Sequence, residues 1–316
     1  MDYPLLLYRG EEFNSNFFYL SQIDIDHSFL LLKEGKKTLF VPQLNEKIAR
    51  EKFKGKVVVY KQLEDLAKYL KSKKTYFDAR STSVSLFKYL SKFTKLVDYS
   101  DKLSSLRIPK SSDEVSKIKK AVLITKKLFD SLDFSKFRTE NDVRAFLLAK
   151  TYEKGISPAF EPIVATGRNS SFPHHHTSNK KLLDYVLIDY GVKYEKYNAD
   201  LTRCFFLKKD EKKEQAYSKL KSIFFDILDE FPDFSKGFDL ARFSDKLFLK
   251  YNLPKQIHAI GHGLGLDVHE APRLSLKSKD PLKKSVLAIE PGVYYKDFGA
   301  RFEENIYFDG KKARIL

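Results

Sequence analysis

Apolar residues over the first hundred positions gather into short runs: Phe17 to Leu20, Phe29 to Leu32, Thr38 to Val41, Val57 to Tyr60 and Thr75 to Asp78. Their length and their β-branched or aromatic content predict strands. Lys-rich stretches at helical spacing, Leu63 to Lys71 and Val84 to Phe93, are interspersed with them. Alternation of this kind reads as a small α/β domain. The segment Arg107-Ile108-Pro109-Lys110-Ser111-Ser112-Asp113-Glu114 then breaks the pattern. Pro109 disfavours helix in the residue before it, and Ser111 with Glu114 fits a capping box, so a new helix is expected to start there and run to about Phe129. The domain boundary is therefore placed near Arg107, giving domains of residues 1–107 and 108–316. Thr139 with Asp142 announces a second helix carrying Val143, Phe146, Leu147 and Tyr152.

Strands separated by sharp turns follow: Pro162 to Thr166, Tyr185 to Tyr190 and Asn198 to Leu207. Two helical stretches, Glu211 to Glu230 and Leu240 to Tyr251, precede a Gly- and His-rich loop and two last strands, Val286 to Tyr295 and Ala300 to Phe308. Helices then paired strands, twice over, suggest two similar halves within an α+β domain.

Composition narrows the class. With 42% hydrophobic and 32% charged residues among 316, the usage is globular, and no run approaches the ~18 apolar residues of a membrane span. The brief Leu5-Leu6-Leu7 lacks a basic flank and is too short for a secretory segment, so a soluble cytoplasmic protein is expected. Cys204 is the only cysteine and excludes an intrachain disulfide; flanked by Phe205 and Phe206, it reads as core. A net charge of +16 invites a nucleic-acid partner. Yet 46 of the 58 basic residues are Lys, spread along the whole chain. Phosphate and base recognition favours the planar fork of Arg, so no specific nucleic acid is expected.

Six of the seven His lie in two windows, His174 to His176 and His258 to His269. Acids also recur in a pattern. Asp189 ends Val186-Leu187-Ile188 and Asp200 opens Leu201 to Leu207, with a turn-like stretch between, so antiparallel pairing is expected to set the two carboxylates side by side. Glu290 ends Val286 to Ile289, and Glu303 sits on Arg301 to Ile306. An acid on an apolar strand is costly to bury unless it is paired or metal-bound. Neighbouring strand residues face opposite ways: Glu304 shares a face with Phe302, Ile306 and Phe308, whereas Glu303 shares one with Arg301, Asn305 and Tyr307. The polar face selects Glu303. Four acids and histidine form an oxygen-rich set that suits divalent Mn, Co, Fe or Zn.

The segments Asp189-Tyr190-Gly191, Tyr197-Asn198-Ala199-Asp200-Leu201-Thr202-Arg203, Gly261-His262-Gly263-Leu264-Gly265, Val268-His269-Glu270-Ala271-Pro272, Glu290-Pro291-Gly292 and Arg301-Phe302-Glu303 together resemble the motif set of the creatinase, aminopeptidase P and prolidase family. The resemblance runs from about Ser111 to Phe308. It implies a pita-bread catalytic fold of two similar α/β halves, behind a smaller creatinase-like domain whose best-matching piece is Ser15 to Leu20.

Residue by residue, the resemblance implies two divalent metals. Asp189 would bind through both oxygens, Asp200 and Glu303 would bridge, and His262 and Glu290 would complete the set. Glu290 would accept a proton from the attacking water, and His269 would stabilise the tetrahedral intermediate. His174 would contact the substrate near the scissile bond, with His175 as the alternative. His258 would help form a proline pocket, and Arg273 would pair with the free carboxylate of a dipeptide. Thr202 and Arg203 stay open between ligand support and plain strand positions. The implied activity is hydrolysis in front of proline, on short proline-containing peptides and by a homodimer. An Xaa-Pro dipeptidase is expected; an Xaa-Pro aminopeptidase acting on longer peptides, or a non-catalytic binding module of the same fold, is the alternative.

Overall fold

The computed structural model describes residues 3–316 and divides the chain into two compact units meeting at Arg107 and Ile108. Met1 and Asp2, part of the amino-terminal stretch read above, lie outside the described residues. Among the described residues no helix is long and apolar enough to cross a membrane.

The first unit is built on one six-stranded sheet in the order Lys56–Tyr60, Lys36–Pro42, Ser28–Lys33, Leu5–Arg9, Lys74–Phe77, Lys95–Asp98. Leu5, Leu7, Leu30, Leu39 and Val41 pack on one face with Phe17, Ala49 and Leu103. Leu6, Phe29, Leu31 and Phe40 pack on the other with Leu66, Leu70, Leu86 and Leu90. Burial of both faces explains why these strands read as unbroken apolar runs. One expected strand is instead a helix. Phe17 to Leu20 lies in Ser15–Ser21, where the Asn14 side chain accepts a hydrogen bond from the Phe17 N–H at 2.9 Å and caps the first turn. Four apolar residues are too few to separate one helical turn from a strand. Leu5–Arg9, a brief apolar stretch in the sequence, is an interior strand, and strand Lys95–Asp98 and helix Ser100–Leu106 are further elements that the apolar pattern does not predict.

The second unit opens with helices Ser112–Asp130 and Glu140–Tyr152, each begun by a full capping box, Ser111 with Glu114 and Thr139 with Asp142. They accompany the three-stranded sheet of Leu201–Phe206, Tyr185–Tyr190 and Ile163–Thr166. Helices Glu211–Asp229 and Gly237–Lys250 bury Leu220, Ile223, Phe224, Leu240 and Phe248 in a core shared with Leu274, Leu287, Ile289 and Ile306. Those last residues belong to a five-stranded sheet in the order Glu270–Leu274, Gly261–Gly263, Val286–Ile289, Glu304–Phe308, Ala313–Ile315. The two last strands expected from sequence are each split. Val286 to Tyr295 breaks at Glu290 and Pro291, and Ala300 to Phe308 breaks at Phe302 and Glu303; the pieces Gly292–Tyr294 and Gly299–Arg301 form a separate two-stranded ribbon.

Candidate metal centre

Three of the acids sit where strands stop. Asp200 lies between Tyr197–Asn198 and Leu201–Phe206, Glu290 follows Ile289, and Glu303 precedes Glu304–Phe308. At such breaks the backbone is held by side chains or other strands. Asn305 clamps Asp200, its Oδ1 accepting from the Asp200 N–H (3.0 Å) and its Nδ2 donating to the Asp200 carbonyl (2.7 Å). The Glu290 N–H reaches the Ile260 carbonyl at 2.9 Å. Antiparallel pairing does bring the Asp189 and Asp200 carboxylates within 4.8 Å of each other, although the direct register partner of Asp189 is Thr202 and Asp200 lies just past the end of the ladder. Asp189 and Asp200 border the same space.

That space is a cavity of about 460 Å³, lined by Asp189, Asp200, His262, Glu290 and Glu303, together with His174, His258, His269, Arg301 and Phe160. Three overlapping sets of donor atoms each fall within 4.8 Å: Asp189, Asp200 and Glu303; His262, Glu290 and Glu303; and Asp200, His262 and His269. The Nε2 of His262 is 3.5 Å from Asp200 Oδ2 and 3.8 Å from Glu290 Oε1. Its Nδ1 lies 3.1 Å from the Gly263 carbonyl, which can only accept, so Nδ1 carries the proton and Nε2 presents a lone pair to the cavity.

Electrostatics test whether cations fit here. Burial and the neighbouring Glu303 charge push Asp200 and Glu290 well above the ordinary carboxylate range. Burial and the Asp189 charge push Glu303 up to about 8. Burial holds His262 down at about 3, so its ring is neutral at pH 7. Asp189 Oδ1 is buried and accepts no hydrogen bond. Crowded carboxylates that resist ionisation, an orphan carboxylate oxygen and a neutral imidazole are a donor set that divalent cations satisfy.

The surrounding side chains divide sharply. Glu303 Oε2 accepts from the Thr202 hydroxyl at 2.6 Å, whereas Glu304 pairs away from the cavity with Arg203 and, at 3.0 Å, with Lys126. Thr202 therefore touches the carboxylate of a candidate ligand, whereas Arg203 reaches the same residue through its backbone, donating to the Glu303 carbonyl at 2.6 Å. Of the triple histidine, His174 borders the acid cavity. His175 Nε2 donates at 2.9 Å to Glu140, a fully buried carboxylate, and with His176 the residue lines an adjoining cavity of about 490 Å³ that shares His174, Phe160 and Ile163 with the first. Arg273 stands opposite His262 in the strand register but is exposed and outside the cavity lining.

Two residues near the acids went unassigned from sequence. Arg301, buried, donates to the Asp189 carboxylate, to the Thr202 hydroxyl (2.9 Å) and to the Tyr294 hydroxyl (2.8 Å). The Tyr294 hydroxyl in turn lies 2.9 Å from His258 Nε2. Because His258 Nδ1 faces the Ala259 carbonyl at 2.8 Å and must donate there, Nε2 accepts from Tyr294. Burial lowers His258 to about 4, which keeps the ring neutral. Strand parity with Glu303 pointed to Arg301; nothing distinguished Tyr294 among 18 tyrosines.

Comparison with known proteins agrees with this architecture. The profile of metallopeptidase family M24 matches residues 116–309, and that of the creatinase/prolidase N-terminal domain matches residues 6–108. The chain belongs to metallopeptidase family M24, in its creatinase and prolidase branch, and has the pita-bread fold. It is similar to an uncharacterized peptidase of Methanocaldococcus jannaschii, 34% identical over 92% of this chain and 84% of that protein. It is also similar to the Xaa-Pro dipeptidase of Pyrococcus furiosus, 28% identical over 95% of this chain and 90% of that one. Among solved structures, the X-Pro aminopeptidase of Thermotoga maritima superposes with a TM-score of 0.87 at 25% identity, covering 99% of this chain and 94% of its own.

Proposed function

We propose that this metallopeptidase hydrolyses the bond between an N-terminal residue and proline with two divalent metal ions, and that it prefers Xaa-Pro dipeptides. The observation that carries the dinuclear reading is the sharing of Glu303 between two donor sets, Asp189 with Asp200 and His262 with Glu290. Asp189, Asp200, His262, Glu290 and Glu303 would hold the ions, with Asp200 and Glu303 between them. Ions held there supply Lewis acidity, lowering the pKa of a water toward ~7 and polarising the scissile carbonyl.

The chain's own groups do the rest. Glu290, whose carboxylate is ionised once cations offset the neighbouring charges, would accept the water's proton. His269, held below its ordinary value chiefly by burial, stays neutral near pH 7 and offers one ring N–H to the developing oxyanion. His174 contacts the substrate beside the scissile bond. Both ring nitrogens of His258 are engaged by Ala259 and Tyr294, so it acts as a fixed wall for the proline ring and not as an acid or base.

The dipeptide preference draws on the relative named Xaa-Pro dipeptidase and on Arg273 as a carboxylate partner. The exposure of Arg273 weighs against its part in this. The second reading, an aminopeptidase for longer peptides, is favoured by the adjoining cavity, which offers room past His174. We expect about two divalent ions per purified chain, a homodimer by light scattering, and a cytoplasmic protein. A peptide panel with added Mn, Co, Fe or Zn identifies the activating metal. The deciding measurement is kcat/KM for an Xaa-Pro dipeptide against the same peptide extended by one residue or amidated. Equal or better cleavage of the longer peptide replaces the dipeptidase reading with the aminopeptidase one, and an unchanged ratio in Arg273→Ala removes that residue from the argument.

A further inference from the structure

Outside the cavity, a deeply buried ion pair of the catalytic unit is used by none of the steps above. Lys110 Nζ lies 2.9 Å from Glu270 Oε1, with side chains only 1% and 2% exposed. Lys110 immediately precedes the Ser111 cap of helix Ser112–Asp130, and its ammonium also donates to the Ile108 carbonyl at 3.1 Å. Glu270 immediately follows His269. Its carboxylate packs on Gly265, where a Cβ would come within 2.6 Å of Oε1, and its Oε2 accepts from the Asp267 N–H at 3.3 Å. Asn198 Nδ2 fixes the same loop by donating to the carbonyls of Gly265 (3.0 Å) and Leu266 (2.9 Å). The loop is thus tied on its buried side while His269 itself is exposed, its ring edge-on to His262 with centroids 4.2 Å apart.

Buried ion pairs contribute little net stability compared with apolar packing of the same volume, and their best-attested use is to fix register. We propose that the Lys110–Glu270 pair is a positioning latch that sets the orientation of the His269 imidazole toward the substrate carbonyl. This rests on the role given to His269 above. The pair locks the main chain at Glu270 against the start of the first helix of the unit, and a side chain one residue away inherits that constraint.

Because both side chains are deeply buried, neutralising one alone unbalances buried charge and risks the fold, so the test uses the doubly neutral variant Lys110→Met with Glu270→Gln. Its metal content and KM are expected to stay within about twofold of the parent while kcat falls by ~10-fold, part of the 10²-fold scale for losing a transition-state donor outright. Introduced into His269→Ala, the same two changes are expected to lower kcat by less than about twofold, because the group they position is gone. In histidine-labelled, metal-free protein, the His269 ring resonance, assigned by its loss in His269→Ala, is expected to be single in the parent and to broaden or split in the double variant. Equal kcat losses in both backgrounds, or an unchanged His269 resonance, overturn the latch. If His269→Ala alone leaves kcat intact, the catalytic role of His269 fails instead, and the resonance still reports on the latch.

Discussion

The amino-terminal sheet and the sheets around the acid cavity use strands in opposite ways. In the first, Ser28–Lys33 and Lys36–Pro42 run unbroken, apolar on both faces, and their register continues pair by pair from Phe29 opposite Phe40 to Lys33 opposite Lys36. In the second, strands stop at Asp200, Glu290 and Glu303. A continuous ladder satisfies its own backbone and leaves side chains only the two faces of the pleat. A break frees the chain to aim a carboxylate sideways, and the backbone groups it exposes must be met by others, as Asn305 meets Asp200. One region therefore embodies stability and the other chemistry, and substitutions should separate the two.

The largest effect is expected at Glu303→Gln, which removes a shared carboxylate and should abolish measurable turnover, whereas Glu304→Gln should stay within about tenfold of the parent. Steady-state kinetics on both variants decides it, and equal losses would falsify the division between the two neighbours. Next comes His269→Ala, for which kcat should fall by ~10²-fold or more with metal content unchanged. Metal analysis of that variant is the sharper half of the test, because the structure also sets His269 within donor range of Asp200 and His262. Loss of an ion there would make His269 a ligand.

A smaller effect is expected from Tyr294→Phe, which deletes the hydroxyl linking Arg301 to His258. Freed from that bond, His258 should hold proline less well, raising KM by about tenfold, the scale of one or two hydrogen bonds, with kcat changed less. A pure kcat effect would place Tyr294 in the chemical step instead. The smallest effect on catalysis is expected from Leu30→Ala in the amino-terminal sheet. Leu30 is fully buried, and its loss should lower unfolding free energy by ~2–5 kcal/mol in denaturant titration while kcat/KM at 25 °C stays within about twofold. A large loss of activity in the folded variant would join the two regions that the comparison separates.

Much of this protein is written locally. The capping boxes at Ser111 and Thr139, the apolar runs of the first sheet and the clustered histidines are short-range signals, and the order of motifs from Asp189 to Glu303 suffices to name the family. Alternation of faces selects Glu303 over Glu304 from sequence, and Glu303 does line the cavity, although the strand that argument assumes breaks before Glu304. Other features needed the tertiary structure. Whether Phe17 to Leu20 makes a helical turn or a strand depends on the Asn14 cap and on what Phe17 packs against. That Asp189 faces Thr202 and not Asp200 depends on where the ladder ends. Arg273 had the charge for carboxylate recognition, but its exposure and its place outside the cavity follow from how Glu270–Leu274 lies in the sheet. Tyr294, Glu140 and the Lys110–Glu270 pair carried no local signal, because their partners are 7, 35 and 160 positions away. Sequence fixes what each residue can offer within its own turn or strand; only the folded chain decides which distant group receives it, since that choice is set by packing across elements that share no local pattern.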